Sequence, residues 1–276
     1  MTTTRIARVP YLNSAPFYRG LALGERYELT DCVPRALGER AAEGSLLAGL
    51  LPLADYLRLE GTFERVGRFG IAVRGRARSV LLFSRKPLRQ LEGAVIAVTE
   101  ETSTTALLLR LVLEQRYHVQ PQEYVRIAGE DAARPPGPSV THAGAGGSSE
   151  RRAGEALLLI GDEALRFRQG NTQYPFETDL AFEWWLWQHL PCVFAVWAIR
   201  KDAGADEMKQ LELALAKSLG VNLRRLERLA HDASPGLGVP AEELHTYLSQ
   251  FAYRFGQPEE DGIAQFRKLV DESHLL

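Results

Sequence analysis

The chain has 276 residues, 45% hydrophobic and 25% charged, which suits one large domain or two of medium size. A formal charge of −2 gives no drive for counterion release, so nucleic acid is not expected as a partner. No apolar run reaches the roughly 18 residues of a membrane span, and MTTTRIARVPYLNS lacks the apolar segment of a secretory signal. RIARV (5–9) reads as a first strand, followed by a loop, YLNSAP (11–16). YELTDCV (27–33) reads as a second strand. ALGERAAEGSLLAGL (36–50) begins as a helix, with Gly44 as its break. RSVLLFS (78–84) and AVIAVT (94–99) have the apolar, β-branched character of buried strands. TTALLLRLVLEQRY (104–117) has helical spacing. EALLLIGDEAL (155–165) reads as strand, turn and helix start, and PCVFAVWAIRK (191–201) as a long buried strand. The rest reads as helical: 206–220, 221–230 and PAEELHTYLSQFAYRF (240–255). In the last, Leu244, Tyr247, Leu248, Phe251 and Phe255 fall on one helical face, and Pro240 suits the first helical position.

Strands alternating with helices predict an α/β protein. Residues 129–154 are crowded with Gly, Pro and Ser and have no apolar period, which predicts a mobile surface loop. Cys32 and Cys192 are too few for a disulfide framework and fit a reducing cytoplasm. The six histidines are scattered, so no metal site is expected. Nucleotide loops, the serine-hydrolase elbow and the zinc-protease motif are all missing.

Four places could carry chemistry. Thr102, Ser103, Thr104 and Thr105 follow a strand and open a helix, whose unpaired N–H groups suit a carboxylate or phosphate. Simple capping by Thr102 or Ser103 is the plain alternative. In LIGDEAL (159–165), Gly161 permits a tight turn beside a cleft, and Asp162 can cap the next helix. Arg78 and Ser79 stand where a strand begins; a surface ion pair is the ordinary use of such an arginine. FEWWLWQHLP (182–191) offers an aromatic wall or a core seam, with His189 at its end.

YLNSAP (11–16), ARSVLLFS (77–84), AVIAVTEETSTTALLLRLVL (94–113), LLIGDEAL (158–165) and DLAFEWWLWQHLPCVFAVWAIR (179–200) occur in that order. Together with YLSQFAYRFGQPEEDGIAQFRKL (247–269), they resemble the chorismate dehydratase family of the futalosine route to menaquinone. The chain departs from that family's pattern at QHLPC (188–192), at Leu47 and in the Gly/Pro-rich stretch. The resemblance implies a two-lobed fold like the type II periplasmic binding proteins. RSVLLFS and PCVFAVWAIR would be the crossovers, with 1–83 plus 194–276 in lobe one and 84–193 in lobe two. Asn13 and Ser14 would then end the first strand of lobe one, where open α/β sheets bind ligands, facing Thr102–Thr105 across the cleft.

What the resemblance implies in chemistry is loss of water from chorismate, without cofactor or metal. Asn13 and Ser79 would be catalytic. Tyr11, Ser14, Thr102, Ser103, Thr104, Thr105, Gly161 and Asp162 would hold the substrate. The implied protein is cytoplasmic, a monomer or homodimer, with a small molecule as its partner. A solute-binding protein for a small carboxylate, or the sister enzyme 1,4-dihydroxy-6-naphthoate synthase, are the alternatives. The latter would need a histidine in lobe two, where His142 lies in the loose stretch and His189 at the edge.

Overall fold

The computed structural model describes residues 4–25, 27–127 and 154–275. Most of the expected 129–154 loop therefore lies outside the described residues. Two mixed sheets carry the structure. The first has the order β11-β4-β10-β3-β1-β2. Its strands are β1 (Thr4–Arg8), β2 (Tyr27–Asp31), β3 (Ala48–Pro52), β4 (Phe63–Val73), β10 (Cys192–Arg200) and β11 (Phe251–Arg254). The second, β7-β6-β8-β5-β9, uses β5 (Val80–Ser84), β6 (Val95–Thr99), β7 (Glu123–Ile127), β8 (Ala156–Ile160) and β9 (Phe176–Asp179).

In each sheet three strands run parallel. β1 pairs β2 and β3, and β6 pairs β7 and β8. Antiparallel strands extend the sheet on one side: β10 against β3 and β4, and β5 against β8 and β9. The inner strands are covered on both faces, so β3, β5 and β8 are buried at every position and read as unbroken apolar runs. The carboxyl ends of β1, β3, β6 and β8 lead into the loops that build the site described below.

Helices cover the sheets: α1 (Ala15–Tyr18), α2 (Pro34–Ala42), α3 (Leu53–Leu59), α4 (Thr104–Arg110) with a π turn over Leu111–Arg116, and α5 (Gly161–Gly170). Beyond these come α6 (Leu180–Gln188), α7 (Ala205–Asn222), α8 (Leu226–Leu237), α9 (Ala241–Ser249) and α10 (Gln257–Glu272). Under the first sheet Phe17 meets Phe69, Trp197 and Tyr253 edge-on, with ring centres 6.1, 5.9 and 5.6 Å apart.

Two expectations are corrected. The helix read over 240–255 stops at Ser249, and residues 251–254 form β11, paired antiparallel with β4. Phe251 and Tyr253 are buried and alternate with less buried neighbours, which is strand periodicity inside a helix-like apolar spacing. Pro240 caps this helix rather than opening it. Nor do RSVLLFS and PCVFAVWAIR bridge two sheets: β5 pairs only in the second sheet and β10 only in the first. The chain changes sheet in the short links 74–79 and 189–191.

Candidate active site

A cavity opens between the two sheets. From the first sheet's side it is lined by Val9, Tyr11 and Asn13 after β1, and by Leu50, Pro52, Ile71, Phe194 and Ala195. From the second come Ser79, Val80, Ile160 and Gly161 with Thr102, Ser103, Thr104 and Thr105. The lining has an apolar floor and a polar roof of hydroxyls, one amide and a helix start. No Lys, Arg or His is among the residues lining it.

Eight of the ten residues expected at the site line this cavity: Tyr11, Asn13, Ser79, Thr102, Ser103, Thr104, Thr105 and Gly161. Ser14 and Asp162 do not; both brace the loop that carries Asn13. Ser14 is fully buried, and its Oγ donates to the carbonyls of Val9 (2.5 Å) and Tyr11 (2.8 Å). Asp162 accepts from the Leu12 N–H at 2.9 Å. Burial pushes the Asp162 carboxyl upward, against that hydrogen bond and the charge of Arg166.

The four hydroxyls at the start of α4 are partly committed. Thr102 Oγ1 accepts from the Thr105 N–H at 3.2 Å, which is the capping role. Ser103 Oγ donates to Asp55 Oδ2 at 2.6 Å, and Thr104 Oγ1 accepts from the Ala54 N–H at 3.1 Å. Asp55 and Ala54 lie in α3, which follows β3 of the first sheet, so these bonds close the cleft. The Tyr11 hydroxyl donates to Glu101, and the Arg35 N–H to the Glu101 carbonyl, in the same sense. Each such bond stabilises the closed form by about 0.5–1.5 kcal/mol. The first N–H groups of α4 have no acceptor within their own helix, and the Thr105 N–H is taken by Thr102.

Two backbone features set Ser79. Arg78 has φ +62°, rare for a residue with a side chain, and its N–H donates to Asp179 Oδ2 at 2.7 Å. Asp179 also caps α6, accepting from Ala181 and Phe182. On the other side the Gly161 N–H donates to the Ser79 carbonyl at 2.8 Å. Gly161 has φ +59°, and a Cβ there meets the Tyr11 ring at 2.9 Å.

The sequence reading missed Phe194. The register of β10 against β4 jumps between Val193 and Ala195, leaving Phe194 as the extra residue of a bulge that re-aims it at the cavity. Nothing in the run PCVFAVWAIR marks that bulge. Asp179 was also passed over, although an Asp directly before an apolar helical run is a capping signal. Of the three tryptophans only Trp184 is buried in the core, its Nε1 donating to the Pro191 carbonyl at 3.2 Å, and none of the three lines the cavity. His189 is an exposed left-handed cap of α6, outside the cavity, and His142 lies outside the described residues.

In α5, Glu163 Oε2 is buried and has no hydrogen-bond partner among the described residues. Burial, then the charge of Glu101, pushes its carboxyl up to about 7, with Arg166 opposing. The folded state thus holds a proton that the unfolded chain releases near 4.5. The stability this gives is full below that value and is lost as pH rises toward about 7. Glu163→Gln is therefore expected to gain melting temperature relative to the parent as pH goes from about 5 to about 8. Melting curves at the two pH values check this; a constant difference refutes it.

No helix among the described residues is long and apolar enough to cross a membrane. Among the same residues, no group of three or more His, Cys, Asp or Glu side chains is placed to hold a metal ion.

Comparison with known proteins adds the family. A protein of Archaeoglobus fulgidus, AF1704, has a solved structure that matches with a TM-score of 0.77 at 16% identity, covering 99% of this chain and 98% of that one. The alkanesulfonate-binding protein SsuA from Xanthomonas axonopodis pv. citri, bound to MOPS, matches with a TM-score of 0.67 at 14% identity, covering 100% and 94%. These likenesses give the fold: that of the periplasmic binding proteins, two lobes around a cleft. A chorismate dehydratase of Thermus thermophilus is 30% identical over 282 residues, covering 94% of this chain and 92% of that protein. With residues 4–272 matching the family described as menaquinone biosynthesis, the chain belongs to that family of chorismate dehydratases.

Proposed function

We propose that the chain dehydrates chorismate to 3-[(1-carboxyvinyl)oxy]benzoate in menaquinone biosynthesis, as a hydro-lyase that needs no cofactor. The observation that carries this reading is the meeting of Asn13, Ser79 and the Thr102–Thr105 helix start over an apolar floor, in a member of this family. Chorismate has a six-membered ring with two carboxylates, an enol ether and a 4-hydroxyl. Breaking C3–H and C4–O makes the ring aromatic and releases water, and aromatisation supplies the driving force. The protein's tasks are to hold a dianion, orient it and stabilise the departing oxygen.

The residues suit those tasks. Leu50, Ile71 and Phe194 accept the flat ring. Hydroxyls and N–H groups at the start of α4 take a carboxylate without a positive side chain. Tyr11 and Gly161 close one wall. Asn13 and Ser79 bond the leaving hydroxyl or the second carboxylate. None of these is a strong base at neutral pH. A carboxylate of the substrate then takes the C3 proton, which ends on the departing hydroxide as water.

We also propose two lobes with their boundaries in the links 74–79 and 189–191 instead of at 83/84 and 193/194, because β5 pairs in the second sheet and β10 in the first. The chain works in the cytoplasm; its two cysteines, both buried and free, fit a reducing compartment.

Incubating the purified protein with chorismate tests the reading. The expected result is the enolpyruvyl benzoate, formed at an unchanged rate in the presence of a chelator. Tight binding with chorismate intact favours a solute-binding protein. Strict dependence on a divalent metal refutes the chemistry.

A further inference from the structure

Behind Ser79, on the side away from the cavity, stands a residue that belongs to neither sheet. Tyr247, in α9, is fully buried, and its hydroxyl donates to Ser79 Oγ at 3.0 Å. The phenol thus bonds directly to one of the two polar residues on which the proposed chemistry turns. Its ring is fixed by Phe251, edge-on at 5.1 Å. Tyr247 itself is not among the residues lining the cavity.

The hydrogen-bond inventory of Ser79 then leaves its hydroxyl proton unplaced. Its carbonyl is taken by the Gly161 N–H. Its Oγ has two lone pairs and one proton. Tyr247 fills a lone pair. Among the described residues no acceptor takes the Oγ proton, and the side chain lines the cavity. A hydrogen bond donated to Oγ also polarises the O–H, making it a better donor in turn. The phenol does not lose its proton in the working range, because burial raises its pKa well above the ordinary value.

We propose that Tyr247 is a positioning residue for the dehydration: by donating to Ser79 Oγ, it turns the Ser79 hydroxyl proton toward the departing oxygen of the substrate. The inference rests on the chorismate dehydratase reading. No covalent bond to the protein forms. C3–H breaks with its proton passing to the substrate carboxylate. C4–O breaks with the electron pair on oxygen, where the Ser79 hydroxyl stabilises the growing charge. The proton taken from C3 then passes from the substrate carboxylate to the departing hydroxide, giving water and leaving Ser79 a hydroxyl.

The same fold supplies a matched control. Tyr253, in β11, is also fully buried, but its hydroxyl has no hydrogen-bond partner among the described residues. Deleting it removes an unpaired polar group and leaves Ser79 alone.

The test compares Tyr247→Phe and Tyr253→Phe in the full chain. Tyr247→Phe is expected to lower kcat on chorismate about tenfold or more, with KM within about twofold, because the ground-state contacts are untouched. Tyr253→Phe is expected to leave both within about twofold. In a Ser79→Ala background, Tyr247→Phe is expected to change single-turnover product formation by less than about twofold, since its route of action is gone. Placing 4-aminophenylalanine at 247 restores an N–H donor and is expected to recover most of kcat; it also serves if the phenylalanine variant folds poorly. A parental kcat in Tyr247→Phe overturns the proposal. So does an equal loss in the Ser79→Ala background, or a loss that the amino variant fails to recover. If the parent protein leaves chorismate unchanged, the reaction assignment fails instead, which is a separate outcome.

Discussion

Alanine at Asn13 or at Ser79 is expected to lower kcat for chorismate dehydration on the order of 10²–10³-fold, the usual loss when one positioned donor is removed from a site where charge develops. The two variants are expected to differ in stability. The turn that carries Asn13 is held by other groups: the Ser14 hydroxyl bonds two carbonyls, and Asp162 takes the Leu12 N–H. Asn13→Ala therefore spares the melting temperature. Ser79→Ala does not, because it takes the acceptor from a buried phenol. An unpaired buried donor destabilises by about 1–3 kcal/mol. Adding Tyr247→Phe to Ser79→Ala removes that stranded donor and is expected to recover melting temperature without recovering kcat. Recovery of stability and activity together shows that Ser79 acts through packing and does not belong to the chemistry. The measurements are thermal melts and product formation per folded molecule.

The parts of this arrangement that could be read from the chain are those fixed by neighbours in sequence. β6 followed by four hydroxyl residues and an apolar helix is a local signal, and its elements stand within a residue or two of their expected ends. The same holds for β8 and the Gly161 turn. β4 was not seen, although it is the longest strand and pairs with both β10 and β11. Its apolar positions are interrupted by Arg65, Gly67, Arg68 and Gly70, which earn their places by tertiary contact. Arg65 reaches Glu260 in α10, and Gly70 lies against the Phe255 ring and the Ala195 carbonyl. A spacing rule has no access to such partners. β11 was misread for a related reason, because Tyr247, Leu248, Phe251 and Phe255 keep helical spacing although the chain turns at Gln250.

The site divides in the same way. Hydroxyls at a strand end can be found from the sequence. Which of them face a ligand and which close the cleft depends on α3, a segment that carries no motif. Ser103 and Thr104 meet Asp55 and Ala54 only because β3 delivers α3 to the start of α4. Ser14 and Asp162 were credited with binding because they stand beside Asn13 and Gly161. In three dimensions both are bonded to the loop that carries Asn13.

Gly161→Ala is expected to lower kcat/KM at least about tenfold, a larger effect than one methyl group normally has, because three requirements meet at that residue. Its φ of +59° is a left-handed conformation that strains any residue with a Cβ by about 1–2 kcal/mol. The new methyl falls 2.9–3.0 Å from three carbons of the Tyr11 ring, inside contact distance. That ring cannot yield freely, since its hydroxyl is bonded to Glu101 and the next N–H to Asp162. The strain therefore passes either to Tyr11, widening the wall of the cavity, or to the Gly161 N–H, which holds the Ser79 carbonyl at 2.8 Å. Displacements near 1 Å at a reacting centre can lower rates about 10²-fold. Gly170→Ala is the control: it ends the same helix, with nothing within 4 Å of the added methyl and no positive φ. It is expected to keep parental kinetics and to hold or slightly raise the melting temperature. Steady-state kinetics and melts of the two variants decide the matter. Parental kcat/KM in Gly161→Ala means that Tyr11 does not rest on Gly161 in the working enzyme, and the closed wall of the cavity must then be formed in another way.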